Sequence, residues 1–494
     1  MEGAPRAQGV RQELKYCKPI AVIGAGVFGL TSALHLAKAG YKDVTIFDYQ
    51  EYDKNGYSVR EGCDAASADE NKILRASYGE RKMYQDLAFQ AMEVWQEWNE
   101  QVKTSVILPS HVSNTDQLWV NSGFLRLSDN GLDEHEHITQ ENFPAEIRHT
   151  QYRITDPQRV ADAAKNGIPV TKFDPFDRRA RELSTDGMFD GTGGYILASK
   201  ACSWALHLCK QHGVKLRLGP SYRFTTCNYS CSGSVTGVTT ADGTLHPASL
   251  VIVACGGWTP SLVPESDTII EATAGSVLTV RLPKNREDLW KKFDPENFPV
   301  WSWKMSSYTK DVNRTSVGGL YGFPRTPDGI VKFGFRGAKW TNYTHVRSGD
   351  GRLVSYPKTG EQEVPEPAME VVQKFCEVNL PELVQLPVEK GRMCWYTDST
   401  DNEFLIDFVP DRKGLMVATG GSGHGFKFLP VLGTKVVDII EGKNTEFTRA
   451  FSWRQRPAAG SANGLEEGPE GWRTLDKQKM TSQWKAKLRT NHSP

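Results

Sequence analysis

Three glycines near the start of the chain have a spacing that suits the binding of a phosphate group. They follow an apolar run at 20–23 and stand at GxGxxG positions, as Gly24, Gly26 and Gly29. Glycine permits a tight turn and lets the backbone approach a pyrophosphate closely. A second apolar run ends in Asp48, which follows Gly24 by 24 residues, close to the offset of about 20 at which an acid binds a ribose hydroxyl. This pattern predicts a dinucleotide site.

The elements that must position these residues are a strand, a helix and a second strand. Apolar residues recur with helical spacing from Leu30 to Ala37, and Val27 and Phe28 precede them directly after the glycines. A helix N-terminus presents free amide groups and a partial positive charge, so Val27 and Phe28 are expected to lie against the phosphates. Ordinary βαβ turns share this pattern, and it does not distinguish NAD from FAD.

Further strands and glycines indicate how the chain is divided. An apolar run at 250–255 ends in Gly256 and Gly257, which form either a second backbone approach to the cofactor or a tight turn. Another run leads into a glycine-rich turn that contains Gly423 and Gly425. We predict a dinucleotide domain from three segments with mainly β segments inserted between them. The predicted boundaries are 1–16 for a disordered lead-in, 17–104, 190–274 and 386–448 for the dinucleotide domain, 105–189 and 275–385 for the inserted domain, and 449–494 for a tail.

Composition excludes several classes of function. Lys plus Arg and Asp plus Glu each number 59, so no charge excess indicates nucleic acid or a membrane surface as a partner. No apolar run approaches the ~18 residues of a membrane span, and no signal peptide is evident. The nine cysteines have no regular spacing, which favours a reduced protein without a metal site. The C-terminus is not a peroxisomal tripeptide, so we expect a cytoplasmic protein.

Four longer motifs follow the glycines in order along the chain. They are Asn71-Lys-Ile-Leu-Arg-Ala-Ser-Tyr-Gly-Glu80, Tyr321-Gly-Phe-Pro324 with Lys332 in the next strand, Cys394-Trp-Tyr-Thr, and Gly423-His-Gly-Phe-Lys427. Together they resemble the family of monomeric sarcosine oxidases, pipecolate oxidases and fructosyl amino acid oxidases (amadoriases). The resemblance extends over about 18–445, and Asn71-Lys72 is similar to the fungal amadoriase branch.

The resemblance implies an α/β plus β fold and a flavin cofactor. The fold would combine a discontinuous FAD-binding Rossmann-like domain of the glutathione-reductase type with an inserted substrate domain whose mixed sheet is mostly antiparallel. FAD would be attached covalently through an 8α thioether to Cys394, which would otherwise be a small buried apolar residue. Gly423, His424, Gly425 and Phe426 would line the cofactor site. The family also implies a monomer that acts on an amino acid-derived amine and O2.

The resemblance also assigns roles to charged residues. Lys332 would lie near the flavin and favour oxygen reduction, with Lys72 as a second cation, although each could be a solvated lysine. Arg75 and Lys427 would bind the substrate carboxylate, because Arg binds a planar anion bidentately and Lys as a point charge. Arg75 could instead pair with Glu80. Tyr321 would be a site tyrosine, or simply a buried strand residue.

One departure from the family pattern concerns the substrate. Arg336 stands where sarcosine oxidases have histidine, so the cavity is predicted to differ from theirs, with Arg336 among the substrate-binding residues. The large side chains of Trp301, Trp303, Met305 and Tyr308 would suit an aromatic substituent or form core. We therefore rank an N-methylated, possibly aromatic amino acid first, as in fungal secondary metabolism. Fructosyl amino acids, saccharopine and pipecolate are the alternatives.

Overall fold

The computed structural model describes residues 18–128, 131–304, 319–346, 351–360, 362–455 and 467–481. The predicted lead-in at 1–16 lies outside these residues, as do Met305 and Tyr308. The strands are β1 (Ile20–Ile23), β2 (Val44–Asp48), β3 (Asn71–Leu74), β4 (Trp119–Val120), β5 (Phe124–Ser128), β6 (Gln151–Arg153), β7 (Asp186–Asp190), β8 (Gly194–Leu197), β9 (Lys215–Leu218), β10 (Phe224–Tyr229), β11 (Val235–Thr240), β12 (Leu245–Pro247), β13 (Leu250–Val253), β14 (Ile270–Arg281), β15 (Val300–Lys304), β16 (Leu320–Gly322), β17 (Ile330–Trp340), β18 (Tyr343–His345), β19 (Leu353–Ser355), β20 (Val388–Ser399), β21 (Leu405–Phe408) and β22 (Leu415–Thr419). The helices are α1 (Val27–Lys38), α2 (Tyr52–Asn55), α3 (Lys82–Thr104), α4 (Glu134–Asn142), α5 (Pro157–Lys165), α6 (Ala198–Gln211), α7 (Thr259–Leu262), α8 (Glu287–Lys292), α9 (Glu366–Asn379), α10 (Pro381–Val384), α11 (Gly433–Ile440) and α12 (Glu446–Ala450).

The first sheet is a six-stranded sheet in the order β21-β22-β13-β1-β2-β9. Its pairs are parallel except for β21 with β22, and Ile20 lies between Leu250 and Val44 in register. Because parallel strands are buried on both faces, they are almost wholly apolar, as the buried β1 and β13 are. Helices α6 and α11 pack against α1. This arrangement confirms the predicted Rossmann-like domain.

The close fit of α1 on β1 depends on two glycines. Gly24 has a φ of +103°, and a Cβ on Gly29 would lie 1.8 Å from the carbonyl oxygen of Gly24. The helix can therefore begin directly after the turn, at Val27. Leu30, which is fully buried, belongs to the apolar face that the sequence predicted.

The second large sheet has eight strands in the order β20-β14-β17-β16-β15-β5-β7-β6. All neighbouring pairs are antiparallel except β15 with β5, so the predicted mostly antiparallel mixed sheet is confirmed. Trp301 and Trp303 are about 1% exposed and pack with Phe176 and Phe375 in its apolar core. Of the two interpretations of these tryptophans, the core one holds.

Several local predictions differ from the structure. Cys394 lies on β20 in the eight-stranded sheet, although the sequence boundary at 386 assigned it to the dinucleotide segments. The sequence predicts that Ser199 caps α6, but the helix already begins at Ala198, and the Ser199 hydroxyl lies 2.8 and 2.9 Å from the carbonyl oxygens of Tyr57 and Asp69. The sequence predicts that the helix after the last glycine turn starts near Pro430, but it begins at Gly433, after a short 3-10 turn.

The described part of the C-terminal tail, 467–481, packs along the end of β17. Trp472 contacts the ring of Trp340, and Leu475 donates its backbone N–H to Thr341 at 2.8 Å. The polar composition of the tail predicts a segment that either wraps the surface or is disordered. Residues 467–481 follow the surface of the eight-stranded sheet. Among all described helices, none is both long and apolar enough to cross a membrane.

Candidate active site

A cavity of about 630 Å³ lies where the two large sheets meet β3. The predicted site residues that line it are Gly24, Gly26, Val27, Phe28, Asp48, Lys72, Arg75, Tyr321, Lys332, Arg336, Cys394, Gly423, His424, Gly425, Phe426 and Lys427. Gly29 does not line it, because its role is the close packing of α1 on the glycine turn. Residues distant in the sequence are therefore brought to one site.

One end of the cavity suits a nucleotide. The first turn of α1 contains no acidic residue, and its N-cap, Gly26, offers no side chain, so the amide groups of the helix N-terminus face a region fit for phosphate. Asp48 accepts a hydrogen bond from Ala25 N at 2.8 Å, and burial raises its pKa to about 6. The second glycine turn, with Gly256 and Gly257, also lines the cavity, which favours the interpretation of a second backbone approach.

An unsatisfied side-chain amide supports the fit of a polar ring system further along the cavity. Asn71 is fully buried, and neither its Nδ2 nor its Oδ1 has a hydrogen-bond partner among the described residues. Because a buried amide without partners is costly, it is expected to meet a ligand with both donors and acceptors. The isoalloxazine ring of FAD has both, so the residues present fit a flavin.

Two cysteines line the cavity in different surroundings. Cys394 Sγ lies 3.7 Å from Lys72 Nζ. Cys255 Sγ lies 3.3 Å from the carbonyl oxygen of Ile23, and burial together with Asp48 raises the pKa of its thiol. A cation next to a cysteine is the setting in which sulfur reacts, so Cys394 is the better candidate for covalent chemistry.

Lys332 and Lys72 meet at a carboxylate that sequence reasoning missed. Asp69 Oδ2 lies 3.0 Å from Lys332 Nζ and 2.7 Å from Lys72 Nζ. Burial acts to raise the pKa of Asp69, but the two ammonium groups hold it well below its usual range. The only sequence signal was an acid three positions before Lys72.

The two lysines differ in their electrostatics. Burial lowers the pKa of Lys332 to about 8, with Lys72 acting in the same direction and Asp69 against it. Burial also acts to lower the pKa of Lys72, but Asp69 and Cys394 raise it above its ordinary value. Lys332 is 1% exposed and its ammonium lies 4.5 Å from the centre of the Phe323 ring, so the alternative of a solvated lysine does not hold.

A second pair of cations lies towards the Gly423–Lys427 turn. Lys427 is 3% exposed, and its Nζ donates to the Tyr78 hydroxyl at 2.9 Å and to the His424 carbonyl at 2.8 Å. Arg75 stacks over the Tyr78 ring at 4.7 Å and bonds to Ser77 rather than to Glu80. Burial and the charge of Arg75 hold the pKa of Lys427 well below its ordinary value.

The protons around Lys427 can be assigned from the hydrogen bonds. His424 Nε2 lies 3.1 Å from the Asn402 carbonyl, which can only accept, so this nitrogen carries the proton of the neutral ring. His424 Nδ1 then accepts from the Tyr78 hydroxyl at 3.2 Å, and the Tyr78 oxygen accepts from Lys427. Burial and Lys427 hold the pKa of His424 well below its ordinary value, which keeps the ring neutral. Tyr78 lies within a recognised motif, yet sequence reasoning did not select it.

Tyr321 and Arg336 complete the wall of the cavity. A Cβ on Gly334 would lie 2.1 Å from the Tyr321 ring, so this glycine of β17 makes room for the tyrosine. Arg336 Nε donates to the Tyr396 hydroxyl at 2.8 Å, and its Nη2 pairs with the buried Asp398. Asp398 is the second carboxylate that sequence reasoning missed.

Comparison with characterised proteins gives relatives of nearly full length. An L-saccharopine oxidase of Schizosaccharomyces pombe is 25% identical over 462 residues, 89% of this chain and 93% of its own. An N-methyl-L-tryptophan oxidase of Citrobacter koseri is 24% identical over 439 residues, 87% of this chain and 96% of its own.

Solved structures share the fold. A fructosyl peptide oxidase from E. terrenum matches with a TM-score of 0.76 and 21% identity, over 94% of this chain and 98% of its own. Amadoriase I from Aspergillus fumigatus matches with a TM-score of 0.67 and 23% identity, over 88% and 89% of the two chains. The sequence profile of the family described as FAD dependent oxidoreductase matches residues 19–439. This match settles the choice between NAD and FAD, and the chain belongs to the family of FAD-dependent oxidoreductases.

Proposed function

We propose that the protein oxidises a secondary amine carried by an amino acid, with O2 as the electron acceptor and with an imine and hydrogen peroxide as products. The observation that supports this most is the pair of Lys427 and Arg75. Among the described residues neither is paired with a carboxylate, although Lys427 is buried in the cavity wall. Buried charges need partners, so this end of the cavity is suited to an anion from solution. The carboxylate of an amino acid is such an anion.

The residues of the chain would act mainly by position and charge. Arg75 offers a planar fork to the carboxylate, and Lys427 offers a point charge whose direction is set by Tyr78 and His424. Docking the carboxylate there orients the amine along the cavity towards Lys332 and Tyr321. Binding in this way places the reacting carbon in the orientation that the reaction requires. The entropic cost of that orientation is then met on binding and no longer adds to the activation barrier.

The redox chemistry would belong to the cofactor. Bound FAD supplies an acceptor for the hydride that leaves the carbon next to nitrogen. The amine nitrogen loses a proton, so the substrate becomes an imine, and O2 takes up two electrons and two protons to form hydrogen peroxide. Lys332 would hold a positive charge where O2 is reduced, and Asp69 would keep that ammonium in place.

Covalent attachment of FAD through Cys394 is part of the proposal. The Lys72 ammonium lies 3.7 Å from Sγ, and Arg392 lies two residues before the cysteine on β20. A cationic setting promotes the thiolate chemistry that attachment requires. Attachment would leave the cofactor unable to dissociate.

For the substrate, we rank an N-methyl amino acid first. The N-methyl-L-tryptophan oxidase relatives support this choice. Trp301 and Trp303 lie in the core rather than in the cavity wall, so they give no support for an aromatic substituent. Saccharopine is an alternative because of the L-saccharopine oxidase relative, and fructosyl amino acids are an alternative because of the shared fold.

The test is an anaerobic reduction screen on the purified holoenzyme. Sarcosine, N-methyl-L-tryptophan, L-pipecolate, L-saccharopine and fructosyl-glycine are mixed with the protein, and bleaching of the flavin band is followed. We expect at least one N-methyl amino acid to bleach the flavin and to yield one equivalent of peroxide per amine when air is admitted. If none of the five amines bleaches it, the proposed substrate class is wrong.

A further inference from the structure

Arg336 lies on the same strand as Lys332 but reaches the turn that precedes Lys427. On β17 the two residues are four positions apart, so they share one face of the strand. The Nη1 group of Arg336 donates to the carbonyl oxygen of Ser422 at 3.1 Å. One guanidinium thus connects the strand that carries Lys332 with the glycine turn that also lines the cavity.

Buried partners fix the direction of this guanidinium. Its Nε donates to the Tyr396 hydroxyl at 2.8 Å, and its Nη2 forms an ion pair with Asp398. Asp398 is fully buried outside the cavity lining and accepts a further hydrogen bond from Thr273 at 2.7 Å. Three contacts therefore fix the guanidinium, and two of its three partners, Tyr396 and Asp398, lie on β20.

The turn that Arg336 contacts contains left-handed backbone that hydrogen bonds from neighbouring residues, including Ser422 N to the Thr397 carbonyl at 2.8 Å, keep in place. Gly420, Ser422 and Gly423 have φ values of +73°, +43° and +72°. Left-handed backbone at a residue other than glycine persists only where its surroundings impose it. Ser422 Oγ accepts from Ser399 N at 3.0 Å, and its carbonyl accepts from Arg336. A Cβ on Gly423 would lie 2.0 Å from Arg336 Nη1, so the guanidinium occupies the space that a side chain would need.

The same turn sets the position of Lys427. The amides of His424 and Gly425 donate to the Gly421 carbonyl at 2.8 and 3.0 Å. The His424 carbonyl in turn accepts from Lys427 Nζ at 2.8 Å. A shift of the turn at Ser422 would therefore move the acceptor that directs the Lys427 ammonium.

We propose that Arg336 is a positioning residue, which fixes the Ser422–Gly423 turn and thereby sets the position of Lys427 relative to Lys332. This rests on the proposed function, because the alignment concerns a substrate whose carboxylate binds Lys427. The residue acts through the turn and not by contact with the substrate. A displacement of 1 Å in such an arrangement can lower a rate by about 10²-fold.

The experiment compares Arg336→Gln with wild type in two measurements. Hydrogen exchange of the holoenzyme reports the amides of 420–427, and anaerobic stopped flow reports flavin reduction by each amine that wild type oxidises. We expect exchange in this segment to rise at least ~10-fold and the reduction rate constant to fall ~10- to 100-fold, by the same factor for every amine. The matched control is Arg325→Gln, which removes an arginine stacked on Trp290 and paired with Asp294 outside the cavity lining. It should change neither quantity.

A second variant keeps the proposal open to refutation if Arg336→Gln does not fold. Tyr396→Phe removes the hydroxyl that accepts from Arg336 Nε and so removes one of the three contacts of the guanidinium. Hydrogen exchange of the amides of 420–427 should therefore rise by about threefold or more. Unchanged amide exchange at 420–427 in the variants that fold would overturn the proposal. A fall in the flavin-reduction rate that depends on the N-substituent of the amine, without a change in amide exchange, would overturn it as well. If no amine reduces wild type, the proposed function fails, while the exchange comparison still decides whether Arg336 holds the turn.

Discussion

Lys72 and Lys332 share one oxygen of a single buried carboxylate. Asp69 Oδ2 lies 2.7 Å from the first ammonium and 3.0 Å from the second. One carboxylate is thus the counter-charge of two ammonium groups. Lys72 Nζ also lies 3.7 Å from Cys394 Sγ. The centre keeps a net positive charge beside the position proposed for the flavin ring. It also ties β3 to β17, which belong to different sheets.

Removal of the shared carboxylate should destabilise the fold. In Asp69→Asn the buried ammonium of Lys332 and the partly exposed ammonium of Lys72 both lose their counter-charge, and loss of one partner from a buried pair costs about 3–5 kcal/mol. The free energy of unfolding, measured by denaturant titration, should fall by that amount. The matched control is Glu70→Gln. Glu70 Oε1 lies 3.7 Å from Nη2 of Arg60, whose side chain is half exposed, so the free energy of unfolding should fall by no more than about 1 kcal/mol. Equal effects of the two variants would contradict the role given to Asp69.

Replacement of Lys332 should slow the reoxidation of the flavin by O2 but not its reduction by the amine. In Lys332→Met the positive charge next to the site of O2 reduction is lost, while Asp69 keeps its pair with Lys72. We expect reoxidation of the reduced enzyme by O2 to slow by about 10²-fold, as for the loss of one preorganised charge, with amine reduction nearly unchanged. Stopped-flow mixing with O2 measures this. Lys390→Met, on β20 outside the cavity lining, should behave as wild type. Slowed reduction with normal reoxidation would contradict the assignment.

The affinity for carboxylates should depend on pH through Lys427. Burial and Arg75 hold the pKa of this amine below its ordinary value in the free enzyme. Below that depressed pKa the ammonium is present and attracts an anion, whereas above it a proton must be taken up on binding. The Kd for benzoate, followed by perturbation of the flavin spectrum, should therefore rise with pH by up to about tenfold per unit above the pKa.

The control for this pH dependence is Lys427→Arg. Because arginine stays charged throughout the range, the rise in Kd should disappear while binding is retained. If the Kd for benzoate still rises with pH in Lys427→Arg, another group must be responsible for the pH dependence. Lys332, whose pKa burial lowers to about 8, is such a group.

Covalent attachment can be tested with two cysteines of the same cavity. After acid precipitation, wild-type protein should retain its yellow colour in the pellet, and Cys394→Ala should release all FAD to the supernatant. Cys255→Ala should retain the colour, because Cys255 lies by the Ile23 carbonyl and no cation acts on its thiol among the described residues. Absorbance of the supernatant at the flavin maximum measures the result. Release from wild type would show that the flavin is not covalently bound.

Much of the site could be predicted because its residues belong to local motifs. The glycine turn, its helix and Asp48 form one continuous βαβ unit, so neighbouring residues alone determine the pattern. Lys72 and Arg75 lie within one short motif, as do Gly423 and Lys427. The two missed carboxylates lie just outside the recognised motifs, Asp69 two positions before Asn71 and Asp398 directly after Thr397. Asp69 meets Lys332 from 263 positions away, and Asp398 meets Arg336 from 62 positions away.

The sequence by itself determined the family, the cofactor and the chemical types of the residues around the cavity. Only the tertiary structure decided which charges are neutralised, because a buried charge is paired by contact in space and not by position in the chain. Within the described part of the chain, it left Lys427 without a carboxylate partner and gave Lys332 and Lys72 the single carboxylate of Asp69. It likewise turned Arg336 towards Ser422, since the backbone of that turn offers an acceptor which no pattern of side chains records.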